Sequence, residues 1–231
     1  MAEVIEISRL ALHDQVAGRL RTMLVEGHIA PGAKLNEREL CEQLRVSRTP
    51  LREAIKLLAA EGLVDLLPNR GAVAVMLSEA DVQNTFELLA VLEGMSGELA
   101  ARRITDAELA ELRALHYEML ACYARRDLSG YYRINARIHT AINDAAKNPV
   151  LTSTYRAINA RVQSLRFRTN QDEAKWKHAV AEHERMIEAL AAHDAAAMRA
   201  VLVEHLNRKR DTVLALLRAG EIYPTAQAGK R

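Results

Sequence analysis

The chain has 231 residues, of which 49% are hydrophobic and only 4% aromatic, and its formal net charge is +2. This hydrophobic fraction is enough for a folded core, and the near-neutral charge excludes nucleic-acid binding through bulk charge alone. No apolar run is long enough to cross a bilayer and no signal peptide precedes the first predicted helix, so we expect a cytoplasmic protein with no membrane partner.

A helix–turn–helix pattern occupies the N-terminal part of the chain. Hydrophobic residues at helical spacing predict a first helix over Leu10–Glu26. Asn36, with Glu39 three residues on, is expected to cap a second helix. Ser47 is expected to cap a third helix, with Pro50 in its first turn, where a missing N–H is tolerated.

The third predicted helix carries a basic stripe. Arg48, Arg52 and Lys56 recur every four residues, away from the apolar face. A cationic helix that follows another helix and a short turn is typical of a recognition helix in the DNA major groove. The alternative is an ordinary helical hairpin with solvated charges. The order of cap, turn, cap and stripe favours DNA binding.

Two short strands are predicted next, over Val64–Leu67 and Ala72–Met76. The connection between them places Arg70 at the tip of a hairpin, where it could reach a phosphate or the minor groove. Residues 1–77 are therefore predicted to form a winged helix-turn-helix DNA-binding domain.

From Ser78 onward the sequence has no strand pattern. Apolar periodicity, caps and breaks predict helices over Ser78–Arg103, Thr105–Arg125, Asp127–Ala146, Pro149–Arg168, Asp172–Ala192 and Asp194–Leu217. Short links between helices of this length predict an antiparallel all-helical bundle over residues 78–231. The fold class is mainly α.

Three histidines, His139, His183 and His205, lie on the apolar sides of three different predicted helices. A single core histidine is usually satisfied by an ordinary hydrogen bond. Three neutral imidazoles in one interior need three partners, and one divalent cation can satisfy them all. Asn135 lies one turn before His139 and could add an oxygen ligand.

This set of nitrogen and oxygen ligands leaves room for water or a ligand on the metal. Zinc is the first choice, with nickel and manganese as alternatives. A neutral amide oxygen should hold the ion less tightly than a carboxylate would.

The N-terminal part resembles the winged-helix domain of GntR-family transcription regulators. The matching segments are Pro31–Gly32, Glu37–Leu40, Val46–Pro50, Arg52–Ala54, Glu61–Val64 and Arg70–Gly71. The resemblance implies a protein that binds a double-stranded DNA operator, with phosphate contacts from Ser47 and Thr49. The other residues implied to touch DNA are Arg38, Arg48, Arg52 and the wing residues Asn69, Arg70 and Gly71.

The rest of the chain resembles the FCD ligand-binding domain of the FadR-like branch of that family. The matching residues are Leu92–Glu93, Asn135–His139, Asn148–Pro149, Glu182–His183 and His205. The resemblance implies a homodimer whose contacts come mainly from the helical domain. Leu89 stands where the family often has an arginine that helps to hold an effector, and Arg161 is a candidate substitute, with an exposed arginine as the alternative.

Together these features predict a repressor whose operator affinity is controlled by a small carboxylate bound at the metal. A metal-responsive regulator and a three-histidine metal enzyme are the alternatives. An enzyme is disfavoured because no inward-facing carboxylate is expected beside the histidines, with Glu182 and Glu184 assigned to the outer face.

Overall fold

The computed structural model describes residues 12–68, 70–168 and 173–223. The chain divides into two compact units, Met1–Met76 and Leu77–Arg231, here called the first and the second unit. Each unit has a hydrophobic core of its own.

The first unit combines three helices with a small sheet. Its elements in chain order are α1 (Leu12–Val25), β1 (Lys34–Leu35), α2 (Glu37–Leu44), α3 (Arg48–Ala60), β2 (Val64–Leu67) and β3 (Gly71–Ala74). The strands are antiparallel in the order β1-β3-β2. Leu20, Leu51 and Leu58 are fully buried, and α1 packs on α3 through them.

The structure confirms the Asn36 cap, whose side-chain oxygen accepts from the backbone N–H of Arg38 at 3.1 Å and of Glu39 at 3.5 Å. The prediction for Ser47 was wrong in one respect. Ser47 occupies the N-cap position with extended backbone, but its side chain makes no capping hydrogen bond.

The sheet also differs from the prediction. Strand β1 was not predicted, because its two residues become a strand only by pairing with β3, where Lys34 lies opposite Val73. Strand β3 runs over Gly71–Ala74 and not over Ala72–Met76, and Met76 is exposed. Leu10, the predicted start of the first helix, lies outside the described residues.

The second unit contains only helices in its described part, as predicted. They are α4 (Glu79–Arg103), α5 (Asp106–Ala124), α6 (Leu128–Ala145), α7 (Pro149–Arg168), α8 (Glu173–Ala191) and α9 (Ala195–Arg218). Capping explains most of their starts. Ser78 and Thr105 form full capping boxes with Asp81 and Glu108, and Asp127 caps α6.

The two longest helices, α4 and α9, make close contact along their length. A Cβ atom added at Gly94 would lie 2.9 Å from a Val203 methyl carbon, and one added at Gly97 would lie 3.0 Å from Met198 Cγ. The glycines therefore let the helix backbones approach each other closely.

Toward its C-terminal end α4 departs from the buried face that the apolar spacing of the sequence predicts, which consists of Val82, Phe86, Leu89, Leu92 and Met95. Val82, Phe86 and Leu89 are buried as predicted, but Met95 is 43% exposed and Glu93 is 1% exposed. The buried stripe continues at spacings of three and four residues through Glu93 and Gly97. This drift carries a carboxylate into the core of the second unit.

Candidate functional site

The predicted DNA-contacting residues of the helix-turn-helix lie on an exposed surface of the first unit. Arg38, Ser47, Arg48, Thr49 and Arg52 are all exposed. Ser47 and Thr49 lie at the start of α3, where backbone N–H groups without helical partners can meet a phosphate.

In the wing, Arg70 and Gly71 are exposed, and the backbone N–H of Arg70 donates to the Leu67 carbonyl at 3.0 Å. Gly71 has φ of +88°, a left-handed conformation that favours glycine at the hairpin turn. Asn69, predicted to contact DNA, lies outside the described residues. Sequence reasoning missed Lys34, which is exposed on β1 beside the wing and adds a cation there.

Two of these cations are paired with carboxylates of their own unit. Arg38 Nε lies 3.2 Å from Glu42 Oε1, and Arg52 Nε lies 3.0 Å from Glu37 Oε2. Both side chains of the Arg38–Glu42 pair are largely exposed, so exchanging that pair for a phosphate costs little free energy.

The three predicted histidines meet in the core of the second unit. His139 of α6, His183 of α8 and His205 of α9 are 1–3% exposed. Each pair of their rings has a centroid separation of 5.3 Å, so the rings form an equilateral triangle. One ring nitrogen from each lies within 4.8 Å of the others. The structure therefore brings together the histidines that the sequence pattern selected.

Each Nδ1 atom faces an acceptor outside the triangle. His183 Nδ1 lies 2.7 Å from the carbonyl oxygen of Ala179, which can only accept, so this nitrogen carries the proton. His139 Nδ1 lies 2.8 Å from Glu93 Oε2, and His205 Nδ1 lies 2.7 Å from Glu182 Oε2. Acceptors at Nδ1 leave the Nε2 lone pairs for a metal.

The Nε2 atoms of all three histidines are buried and have no hydrogen-bond partner among the described residues. Orphaned polar atoms in a core are costly, and three of them around one point fit a divalent ion. Burial, followed by the neighbouring histidines, holds the pKa of His183 and of His205 well below the usual range. Both rings are therefore neutral at pH 7, which is the protonation state a metal ligand needs.

Glu93 is shared between two partners. Its Oε2 atom bonds His139, and its Oε1 atom lies 3.2 Å from Arg166 Nη1, which also donates to Asn159 at 2.7 Å. Burial by itself would raise the pKa of Glu93, but His139 and Arg166 outweigh it and lower the pKa to about 2. Glu93 is therefore ionised.

Glu182 supports the other side of the triangle. It is 4% exposed and forms an ion pair with Arg208 in addition to its bond with His205. Burial raises the pKa of Glu182 above its ordinary value, and Arg208 opposes that rise. The expectation that no carboxylate faces the histidines was therefore wrong. Of the two carboxylates assigned outward, only Glu184 is exposed.

The two remaining predicted residues differ in burial. Asn135 is buried on α6, one turn before His139. Arg161, the predicted effector contact, is exposed on α7, whereas Arg166 of the same helix is buried against Glu93. The arginine linked to the histidine cluster by its contacts is Arg166, which sequence reasoning missed.

Comparison with known proteins gives a family match for each of the two units. Residues 12–73 match bacterial regulatory proteins of the gntR family, and residues 84–208 match the FCD domain. The Nta operon transcriptional regulator of Aminobacter aminovorans is 31% identical over 212 residues, which cover 87% of this chain and 95% of that protein. This chain belongs to the GntR family. It is a DNA-binding transcription regulator with an FCD domain, and the relatives are regulators and not enzymes.

Other members of the family align along most of this GntR-family chain. The HTH-type transcriptional repressor RspR of Escherichia coli K12 is 25% identical over 202 residues, 87% of this chain and 89% of that protein. The solved structure of E. coli McbR/YncC superposes with a TM-score of 0.82 at 23% identity, covering 90% of this chain and all of that one. That structural likeness supports the fold. In the described part of the chain, no helix is both long and apolar enough to span a bilayer.

Proposed function

We propose that this regulator is a cytoplasmic repressor that binds its operator as a homodimer and loses operator affinity when a small carboxylate binds a metal held by His139, His183 and His205. The observation that carries the proposal is the convergence of three buried Nε2 atoms, each on a ring whose Nδ1 atom already has an acceptor. Zinc is the first candidate ion, followed by nickel and manganese, with Asn135 as a further ligand.

The ion would supply a Lewis-acidic position that accepts a carboxylate oxygen. The protein residues hold the ligands in place. Glu93 and Glu182 orient His139 and His205, and the Ala179 carbonyl fixes the proton of His183 on Nδ1.

Charge balance supports an anionic effector. The buried carboxylate of Glu93 is paired with Arg166, and that of Glu182 with Arg208, so the charges around the histidines cancel. A divalent cation would add two positive charges to this interior, where an unpaired charge is costly. A small carboxylate such as a sugar acid, a dicarboxylate or a 2-hydroxy acid supplies the opposite sign. We propose Arg166, in place of Arg161, as the arginine nearest to such an effector.

The metal site is tested by elemental analysis of the purified protein. We expect His183→Ala to remove stoichiometric metal. His193→Asn is the matched control, because His193 is an exposed histidine of the same unit and its left-handed backbone, with φ of +52°, suits asparagine. A full metal complement in His183→Ala would contradict the ligand set.

The effector is tested by a thermal-shift screen of small organic acids, with and without chelator. We expect an acid that stabilises the metal-loaded protein and loses this effect after chelation. If metal alone toggles operator affinity and no acid does, the protein is a metal-responsive regulator and the effector proposal is wrong.

A further inference from the structure

The predicted recognition residue Arg52 is held by a carboxylate from a different helix. Its Nε atom lies 3.1 Å from Glu37 Oε1 and 3.0 Å from Glu37 Oε2, so one side of the guanidinium faces both carboxylate oxygens. Among the described residues, the terminal amino groups Nη1 and Nη2 of Arg52 make no hydrogen bond. The contact therefore uses one edge of the planar group and leaves the other edge open.

The open edge carries two donors of the kind that a base edge can accept. A guanidinium recognises guanine through two parallel bonds to O6 and N7 in the major groove, and two terminal amino groups supply such a pair of donors. This recognition requires the plane of the guanidinium to be fixed, because a long flexible side chain loses conformational entropy when it is ordered.

We propose that Glu37 is a positioning residue for sequence reading: it fixes the Arg52 guanidinium so that Nη1 and Nη2 point at a guanine edge. This inference rests on the proposed contact of Arg52 with DNA. Glu37 suits the task because it is the first residue of α2, where a helix N-terminus favours a carboxylate. It is also the less exposed partner, with 31% of its side chain accessible against 59% for Arg52.

A second ion pair on α3, between Lys56 and Glu53, differs from the Arg52–Glu37 pair in what it can orient. Lys56 Nζ lies 2.9 Å from Glu53 Oε1, and both residues belong to α3. A lysine is a point charge with no planar fork, so its carboxylate partner cannot orient two donors toward one base. Glu53 and Glu37 carry the same charge on one surface, but only Glu37 contacts Arg52.

A carboxylate on this surface can either repel DNA or position an arginine, and the two roles predict opposite changes in specific DNA affinity when its charge is removed. Near the negative phosphates any carboxylate repels DNA, so removing its charge should strengthen binding to every sequence. Removing a positioning carboxylate should instead weaken binding to the preferred sequence. The direction of the change in specific affinity therefore separates positioning from repulsion.

The experiment uses the full-length protein, a duplex selected by the wild-type protein from a randomised pool, and a scrambled duplex of the same composition. Fluorescence anisotropy measures both affinities for wild type, Glu37→Gln, Glu53→Gln and Arg52→Ala. We expect Glu53→Gln to raise both affinities by a similar factor, on the order of twofold. We expect Glu37→Gln to raise the scrambled affinity similarly but to lower the ratio of selected to scrambled affinity about fivefold or more.

A double variant completes the test. In the Arg52→Ala background, Glu37→Gln should behave like Glu53→Gln, because no guanidinium is left to orient. If Glu37→Gln raises both affinities equally in the wild-type background, Glu37 only repels DNA and the inference is wrong. If Arg52→Ala leaves the affinity ratio unchanged, the proposed Arg52 contact itself fails, which is a different result.

Discussion

In the first unit the pair between Arg38, a predicted DNA contact, and Glu42 is open to water, whereas in the second unit the pair between Arg166 and Glu93 beside the histidines is buried. The side chains of Arg38 and Glu42 are 82% and 67% exposed, and those of Arg166 and Glu93 are 5% and 1% exposed. Exposed pairs contribute about 0–1 kcal/mol and exchange partners easily. Buried pairs are costly to break, so they hold a fixed geometry.

This difference matches the role proposed for each unit. A DNA-reading surface has to stay accessible, so that its cations can meet a phosphate or a base. A ligand cage has to keep three imidazoles in one orientation whether or not anything is bound to them. The following substitutions test whether the two units differ in this way.

The largest effect is expected from Glu93→Gln. The variant keeps the shape of the side chain but removes the buried negative charge that His139 and Arg166 share, so the free energy of unfolding of the metal-free second unit should fall by about 3–5 kcal/mol. Urea denaturation followed by tryptophan fluorescence measures this directly, because the single tryptophan, Trp176, is buried in that unit.

The matched control is Glu204→Gln. Glu204 pairs with Arg185 and Arg208, but its side chain is 47% exposed. We expect a change within about 1 kcal/mol. If Glu93→Gln and Glu204→Gln lower the free energy of unfolding equally, buried and exposed ion pairs do not differ in this protein as proposed.

A smaller effect is expected from Arg52→Ala in the first unit. It should weaken binding to the preferred operator by about 1–3 kcal/mol, because two donors to a base edge are lost. Anisotropy titration at fixed salt concentration measures the change. Lys56→Ala should instead weaken binding to all sequences alike, and an unchanged operator affinity in Arg52→Ala would rule out the base contact.

The smallest effect concerns the close approach of α4 and α9. A methyl group at Gly97 would overlap Leu202 and crowd Met198, and such overpacking costs about 1–3 kcal/mol. Alanine has a higher helix propensity than glycine, which stabilises the variant by about 0.5–1 kcal/mol. The net effect of Gly97→Ala should therefore be to destabilise the second unit by about 1 kcal/mol. Tryptophan-detected urea denaturation again provides the measurement.

Gly18 of α1 offers the opposite case in the first unit, because an added Cβ meets no atom within 4 Å. Gly18→Ala should therefore stabilise the first unit by about 0.5–1 kcal/mol, as measured by thermal unfolding. A stabilised Gly97→Ala variant would show that the helix contact is looser than the structure indicates.

Local chemistry made most of the fold predictable. Asn36, Ser78, Thr105 and Asp127 cap helices through bonds to residues two or three positions away, so a short stretch of sequence determines each helix start. Strand β1 was missed because its pairing partner lies almost forty residues on, and two residues carry no periodicity.

The candidate site was predictable only in part. The histidines stood out because polar residues are rare on apolar faces. Glu93 and Glu182 also lie on apolar faces, but a buried carboxylate is stable there only when it is paired with a residue of another helix, and the sequence does not show that pairing. The spacing that runs from Val82 through Phe86 and Leu89 to Glu93 was the signal that could have found the first of them.

Control of DNA binding through the histidine cluster is tested most directly by the operator affinity of the zinc-loaded protein, measured with and without a carboxylate selected by thermal shift. The same measurement is made on His183→Ala. We expect the acid to weaken operator binding by the wild-type protein and to have no effect on the variant. By reciprocity, operator DNA should weaken binding of the acid by the same factor. An acid response that persists in His183→Ala would contradict control through the histidine cluster.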